Sequence, residues 1–264
     1  MEAWIPLIWT LAALVALWLV SRWISKHIQA LGWLLAGDAD GAVVALWIVL
    51  LPGIILHEWS HWLVAKMLGM AVRPPDLYPK RRGKHIRLGS VTVTSGGHLL
   101  DSLVGLAPFL FGSLAILILG STVFALATIV ENVNAHGWQG AWDAVLATLH
   151  VHDAWIWLYL VFAISNSMFP SPNDSEPVRP VLLFGGLLAG LALIAGWNPT
   201  LSPDTVNHVN RVLLVLAQAF TFTLVVDIVC GIVILVLEHV VGAIKGQRVV
   251  FETSKRSENR RRRP

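Results

Sequence analysis

Residues 41–65 read GAVVALWIVLLPGIILHEWSHWLVA. The stretch is almost wholly apolar, and as a helix rising about 1.5 Å per residue it can cross the roughly 30 Å hydrocarbon core of a bilayer. It nevertheless carries two histidines and a glutamate, His57, His61 and Glu58. Ionisable side chains are costly inside a membrane, and those that occur there are candidates for function. The segment therefore predicts both the class of fold and the position of a site.

The composition of the whole chain also favours a membrane protein. Of its 264 residues, 56% are hydrophobic and 13% are charged, whereas an average soluble domain carries about 25% charged residues. So few charges cannot cover a soluble globule, and the apolar bias excludes a disordered chain. The single cysteine, Cys230, excludes both an intrachain disulfide and a zinc site made of several cysteines.

Six apolar segments are long enough, or nearly long enough, to span a membrane. We therefore expect an all-α polytopic membrane protein with about six transmembrane helices. The stretch 23–35 is expected to lie at the membrane interface, and the last apolar segment to form one tilted helix. The expected spans cover residues 4–20, 41–65, 103–130, 154–169, 181–197 and 209–244.

The distribution of basic residues predicts the orientation, because lysine and arginine mark cytoplasmic loops. The loop 66–87 is strongly basic, whereas the loop 131–153 has three acids and no lysine or arginine. We expect the basic loop and both termini in the cytoplasm of a prokaryotic cell, with the chain in the plasma membrane. The basic tail 245–264 is expected to be disordered; it is either attracted to anionic lipids or only a topology signal. No nucleic-acid partner is expected.

The motif His57-Glu58-Trp59-Ser60-His61 carries the chemistry of residues 41–65. Histidines at i and i+4 lie on one helical face, about 6 Å apart along the axis, so both imidazoles can reach one metal ion. Zinc suits two imidazoles best, and we expect one Zn2+ per chain. Glu58 can then act as general base toward a water that the metal activates. The alternative is a pair of core histidines satisfied by hydrogen bonds.

A catalytic zinc has three protein ligands and one open position, so a third ligand is needed at a similar depth. With Lys66 at the cytoplasmic end of the helix, His57 and His61 lie about 13 and 7 Å inside the membrane. Asp174 is an acid at that boundary, in a proline-rich stretch after the fourth expected span. We predict that Asp174 completes the site; the alternatives are a helix cap or a pair with Arg179.

These residues resemble those of the site-2 proteases, a family of intramembrane zinc metalloproteases. Its hallmarks are H-E-x-x-H in one transmembrane helix and N-x-x-P-x-x-x-x-D-G around a later one. Proline stands one residue late in this chain, at Pro170, and Ser175 takes the place of the glycine. Five residues match the two motifs: His57, Glu58, His61, Asn166 and Asp174.

The resemblance covers about residues 41–180 and implies a three-helix metalloprotease core. It implies that Glu58 activates the zinc-bound water and that Asn166 positions the substrate or its oxyanion. The substrate would be a transmembrane segment of another membrane protein, cut near the cytoplasmic side. The zinc ligands that the resemblance implies are His57, His61 and Asp174.

A small β-hairpin is predicted between the second and third helices, because residues 85–94 alternate apolar and polar side chains. A strand edge beside the site could hold an extended substrate by strand addition, as the resembling family is thought to do. The alternative is a structural hairpin without a role in substrate binding.

The expected activity is that of an intramembrane zinc metalloprotease. The competing interpretation is a non-proteolytic zinc-binding membrane protein with the same fold. Glu58 favours the protease, because a protein that only binds a metal does not need an additional carboxylate outside the set of ligands. No partner for Asp227 is evident from the sequence. The chain divides into an N-terminal helix and interfacial segment, the protease core, two further spans and the basic tail: residues 1–40, 41–180, 181–244 and 245–264.

Overall fold

The computed structural model describes residues 4–82, 85–194 and 202–247. The basic tail from residue 248 onward, with the predictions made for it, lies outside these described residues. In chain order the elements are α1 (Ile5–Ala36), α2 (Ala39–Met67), β1 (Lys80–Arg82), β2 (His85–Arg87), α3 (His98–Thr122), α4 (Leu126–His136), α5 (Trp138–Leu149), α6 (Ala154–Ser167), α7 (Pro172–Ser175), α8 (Val178–Ile194) and α9 (Pro203–Lys245).

Four, or at most five, of the six expected spans are found among the described residues. By length and composition, α1, α2, α3 and α9 can each cross a membrane, and a fifth span is added if α5 and α6 count as one. Those two helices meet at a bend of 105°. The remaining expected span, 181–197, coincides with α8, which has 17 residues. The last three residues of that expected span, 195–197, lie outside the described residues. The chain is thus an all-α multi-pass membrane protein in its spanning part.

The first and last helices form the longest contact of the fold, α1 along α9. Leu17 and Ile24 of α1 and Phe220 of α9 are almost fully buried. The stretch 23–35, expected as a separate interfacial segment, instead continues α1 without a break. The final apolar segment forms one helix of 43 residues, as expected. At about 1.5 Å per residue it is roughly twice as long as the hydrocarbon core is thick.

The helix at the third expected span, 103–130, ends earlier than predicted. Helix α3 ends at Thr122, and Ala125 adopts a left-handed conformation with φ 48° before α4 begins. The turn places Phe124 and Leu126 in the core, where both are at least 93% buried. Burial of these two side chains explains why the chain leaves the helix although its sequence stays apolar. The acidic region then forms α4 and α5, which pack against each other.

The segment between α2 and α3 is extended. Strand β1 pairs with β2 in antiparallel register, while residues 83 and 84 between them lie outside the described part of the chain. Two further antiparallel bridges join Val72 to Val93 and Asp76 to Ser90. This segment is tied to α2 by the Trp47 indole, which donates to the Leu77 carbonyl at 2.7 Å. Extended backbone is thereby held beside the helix that carries the histidines.

Candidate metal centre

Helix α2 presents His57 and His61 on one face. Their Nε2 atoms lie 3.2 Å apart, so the i, i+4 spacing brings both imidazoles to one point, as the sequence predicts. His61 is buried and His57 is half-buried. Helix α2 packs closely against α6 and is thereby held in position: the two backbones approach so closely at Gly53 that a Cβ there would overlap the Ala163 carbonyl oxygen.

Asp174 reaches the same point from α7, a single turn after α6. Its Oδ2 lies 3.6 Å from His57 Nε2, and its Oδ1 lies 3.4 Å from His61 Nε2. Candidate ligand atoms of the three residues all lie within 4.8 Å of one another, close enough to hold a metal ion. The structure therefore brings together the three residues that the sequence singles out as ligands.

Asp174 also takes part in the N-terminal cap of α7, not in a cap of the fifth expected span, and this role is compatible with that of a metal ligand. Its Oδ2 accepts from the Ser171 N–H at 2.8 Å, and Ser171 Oγ accepts from the Asp174 N–H at 3.4 Å, a reciprocal capping box. Burial disfavours ionisation of this carboxyl, but the adjacent His57 and His61 outweigh that effect, so the pKa of Asp174 lies well below its usual value. Asp174 is accordingly held as a carboxylate.

Each histidine is oriented by a backbone carbonyl. His57 Nδ1 lies 2.7 Å from the Ser167 oxygen, and His61 Nδ1 lies 2.8 Å from the Val104 oxygen. A carbonyl only accepts, so each Nδ1 is the donor and carries the proton. Each Nε2 is thereby turned toward the shared point, which is the usual arrangement of metal-binding histidine. The sequence does not predict these two carbonyl partners, because backbone groups are the same at every residue.

Helix α3 packs closely against the backbone of Asp174. A Cβ at Gly105 would overlap the Asp174 carbonyl oxygen. The buried Ser102, one turn earlier, donates through Oγ to the Pro177 carbonyl at 2.8 Å. The contact of α3 with the chain around Asp174 therefore depends on a residue without a side chain.

Replacing Gly105 by alanine is expected to weaken metal binding by about tenfold or more, because the added methyl group must displace the backbone of Asp174. The matched control is Gly120→Ala in the same helix, where a Cβ would meet Leu126 Cδ2 at an ordinary 3.4 Å. Titration of both variants with zinc, read by competition with a chromophoric chelator, measures the affinities. Equal affinities for the two variants would show that the α3 contact does not set the geometry.

Glu58 lies in the same cavity but is not one of the three converging residues. It is 8% exposed, and its carboxylate lies under the backbone of Gly89, where a Cβ would come within 2.8 Å of Oε1. The cavity has a volume of about 880 Å³ and is lined by His57, Glu58, His61, Gly89, Asn166 and Asp174 among others. The sequence does not predict the contact between Glu58 and Gly89, because the two residues are distant in the chain and Gly89 has no side chain that would indicate a role.

Asn166 also lines the cavity, but its amide group is oriented by neighbours. Its Nδ2 donates to the Phe162 carbonyl at 2.8 Å and to Asp227 Oδ1 at 3.1 Å. Both N–H groups are thus engaged and are not free to donate to an oxyanion. Asp227, for which the sequence suggests no partner, therefore has one here.

Comparison of the chain with protein-family models, with curated proteins and with solved structures gives no match.

Proposed function

We propose that this chain is an intramembrane zinc metalloprotease that hydrolyses peptide bonds in or near transmembrane segments of other membrane proteins. One observation carries the proposal: two histidines and an aspartate converge in a cavity that also contains Glu58, a carboxylate outside the ligand set. A site that only stores or carries a metal does not need this additional carboxylate. Hydrolysis does, because a general base must take a proton from water.

The donor set supports zinc as the metal. Ligand atoms about 2.0–2.1 Å from a tetrahedral ion lie about 3.3 Å from one another. The two Nε2 atoms here are 3.2 Å apart, and the Asp174 carboxylate lies 3.6 Å from His57 Nε2 through Oδ2 and 3.4 Å from His61 Nε2 through Oδ1. Two imidazoles and one carboxylate leave a fourth position open, which is typical of catalytic zinc. When bound, zinc would polarise the peptide carbonyl and lower the pKa of water.

The residues of the chain would then divide the work. His57, His61 and Asp174 hold the ion, and the carbonyls behind the two histidines fix their tautomers. Glu58 accepts the proton of the attacking water and returns it to the leaving amine. Asn166 would position the substrate rather than stabilise an oxyanion, because its N–H groups are engaged elsewhere.

The extended segment 90–94 supports an elongated peptide as substrate. Its Ser90, Thr92 and Thr94 bond through the backbone to residues 71–76 on one side. Among the described residues, the backbone groups of the alternate residues Val91 and Val93 have no hydrogen bond, and both residues line the cavity. An open strand edge of this kind can pair with an unwound peptide. Pairing would keep the peptide extended and so expose the scissile bond, which a helix would shield.

The predicted orientation belongs to the same proposal. We infer six spans in a prokaryotic plasma membrane, with the basic loop after α2 on the cytoplasmic side and the metal centre near that leaflet. The basic tail would contact anionic lipids there.

The proposal is tested by zinc-dependent cleavage in liposomes. Two single-span peptides serve as substrates: one Leu-rich, and one identical except for a central Asn-Gly that weakens the helix. We expect cleavage that stops after treatment with a chelator, returns with zinc, and is faster for the Asn-Gly peptide. Zinc-loaded protein that cleaves neither peptide would favour the non-proteolytic zinc-binding protein instead.

A further inference from the structure

The cavity of the metal centre is elongated, and its lining changes from apolar to polar along its length. On α2 it extends from Leu46 and Leu50 to His61, which is about 22 Å along the helix axis. The side chains that α2 contributes at the Leu46 end are apolar, and the metal ligands lie toward the other end. Beyond His61 the lining includes Ser95 and Asp101. A peptide that fills this cavity would therefore need an apolar part at one end and a polar part at the other.

Asp101 lies at the end of the cavity where α2 finishes. The Thr94 N–H donates to the Ala71 carbonyl at 3.0 Å, so the chain before α3 runs just beyond the end of α2. The Asp101 carboxylate accepts from Ser95 Oγ at 2.5 Å and from the Gly96 N–H at 2.9 Å. This end of α2 is the cytoplasmic end in the proposed orientation, because the basic loop follows it.

The Asp101 carboxylate is accessible to a ligand in the cavity. The residue is half-buried, and its two hydrogen bonds lie at the exposed surface. A carboxylate has about four acceptor positions, and the loop uses one on each oxygen. Of the ion pairs formed among the described residues, none involves Asp101. The polar end of the cavity thus offers a carboxylate that is neither a metal ligand nor the general base.

The segment 90–94 relates Asp101 to the position of the cleaved bond. Gly89 lies against the Glu58 carboxylate, and Ser95, six residues later, donates to Asp101. Extended chain rises about 3.3 Å per residue, and a peptide paired with the open edge of this segment rises equally. Such a peptide would pass from the metal centre to Asp101 within about six of its own residues.

We propose that Asp101 is a specificity-determining residue, which binds a lysine or arginine of the substrate within about six residues of the cleaved bond. Transmembrane segments carry such basic residues at their cytoplasmic ends, and Asp101 lies at the cytoplasmic end of the cavity in the proposed orientation. The inference rests on the proposed function and names the preferred class of substrate. That class is a spanning segment whose apolar part is followed closely by a basic residue.

Cleavage by the zinc-loaded full chain tests the inference in micelles of an uncharged detergent, where no lipid headgroup attracts the basic residue. The Asn-Gly peptide is made with one lysine, glutamine or glutamate at each position up to about six residues on either side of the cleaved bond. Wild type is compared with Asp101→Asn and Asp101→Lys. Asparagine keeps the size of the side chain and can still bond to Ser95 and Gly96, so Asp101→Asn removes mainly the charge.

The matched control is Asp143→Asn, because Asp143 is an exposed acid of α5 that does not line the cavity. At one of the positions, wild type should cleave the lysine peptide with a kcat/KM about three- to fivefold above that of the glutamine peptide, the effect of an accessible ion pair. Asp101→Asn should cleave these two peptides equally well, and Asp101→Lys should prefer the glutamate peptide. The preference of wild type should fall as salt is added, because ions screen accessible charges. The control should keep that preference.

The inference is overturned if wild type cleaves the lysine, glutamine and glutamate peptides equally at every position, or if Asp101→Asn keeps the preference for lysine. It is also overturned if Asp101→Asn slows all three peptides by the same factor, since Asp101 would then only hold the loop before α3. Zinc content reports on folding, and Asp101→Asn decides alone if Asp101→Lys does not fold. Zinc-loaded wild type that cleaves no peptide overturns the proposed function and this inference with it, whereas equal cleavage of all peptides overturns the inference alone.

Discussion

Replacing Glu58 by glutamine is expected to lower cleavage by about 10²–10⁴-fold, the range that a general base contributes. Glutamine has nearly the same shape but cannot accept the proton of the attacking water. The ligand atoms come from other residues, so zinc content should remain at one ion per chain. Cleavage of the Asn-Gly peptide and elemental analysis of the same preparation measure the two quantities.

The matched control for this change is Glu238→Gln. Glu238 is also a mostly buried glutamate of a spanning helix, but it pairs with His27 of α1 and does not line the cavity. The control should cleave at the wild-type rate. A Glu58→Gln protein that cleaves as fast as this control would refute the mechanism, and one that has lost its zinc would show that Glu58 acts on the metal instead.

The residues of the metal centre could be predicted from the sequence because they depend on local geometry. The helical period places His57 and His61 on one face, whatever surrounds them. Asp174 is predicted from the expected topology, because it is an acid near the same expected membrane boundary. The convergence of the three side chains within 4.8 Å confirms that these residues lie together.

The partners of these residues could not be predicted, because they are set by packing between distant segments. The carbonyls of Ser167 and Val104 carry no signal in the sequence. Gly89 and Gly105 matter only because other parts of the chain approach them closely. The partners of Asp227 likewise depend on the contact of α9 with α6, which no periodicity reports.

Hydrophobicity predicted the class of fold but did not predict where each spanning helix ends. It reports that a segment can be buried, and it does not distinguish burial against lipid from burial against protein. The run from α3 into α4 stays apolar because Phe124 and Leu126 enter the core at a turn. Similarly, the stretch 23–35, expected as a separate interfacial segment, continues α1 without a break.

Replacing Asp174 by alanine is expected to lower zinc affinity by more than about 100-fold. Removal of a residue that only supports a ligand typically costs 10–100-fold, and loss of a ligand itself should cost more. The cap on α7 is lost at the same time, because Ser171 N–H donates to this carboxylate. Zinc titration against a chromophoric chelator measures the affinity, and elemental analysis gives the content after purification.

Asn173→Ala is the matched control for this variant. Asn173 is the preceding residue of the same short helix and is exposed, whereas Asp174 is only 20% exposed at its side chain. The control should keep wild-type affinity, which separates loss of the ligand from disturbance of α7. If Asp174→Ala also kept zinc, the ion would have to be held by His57 and His61 with a different third ligand, and the site described by the three converging side chains would be wrong. If instead both variants lost zinc, the fold of α7 rather than the carboxylate would determine binding. Only loss confined to Asp174→Ala assigns the third ligand to this side chain.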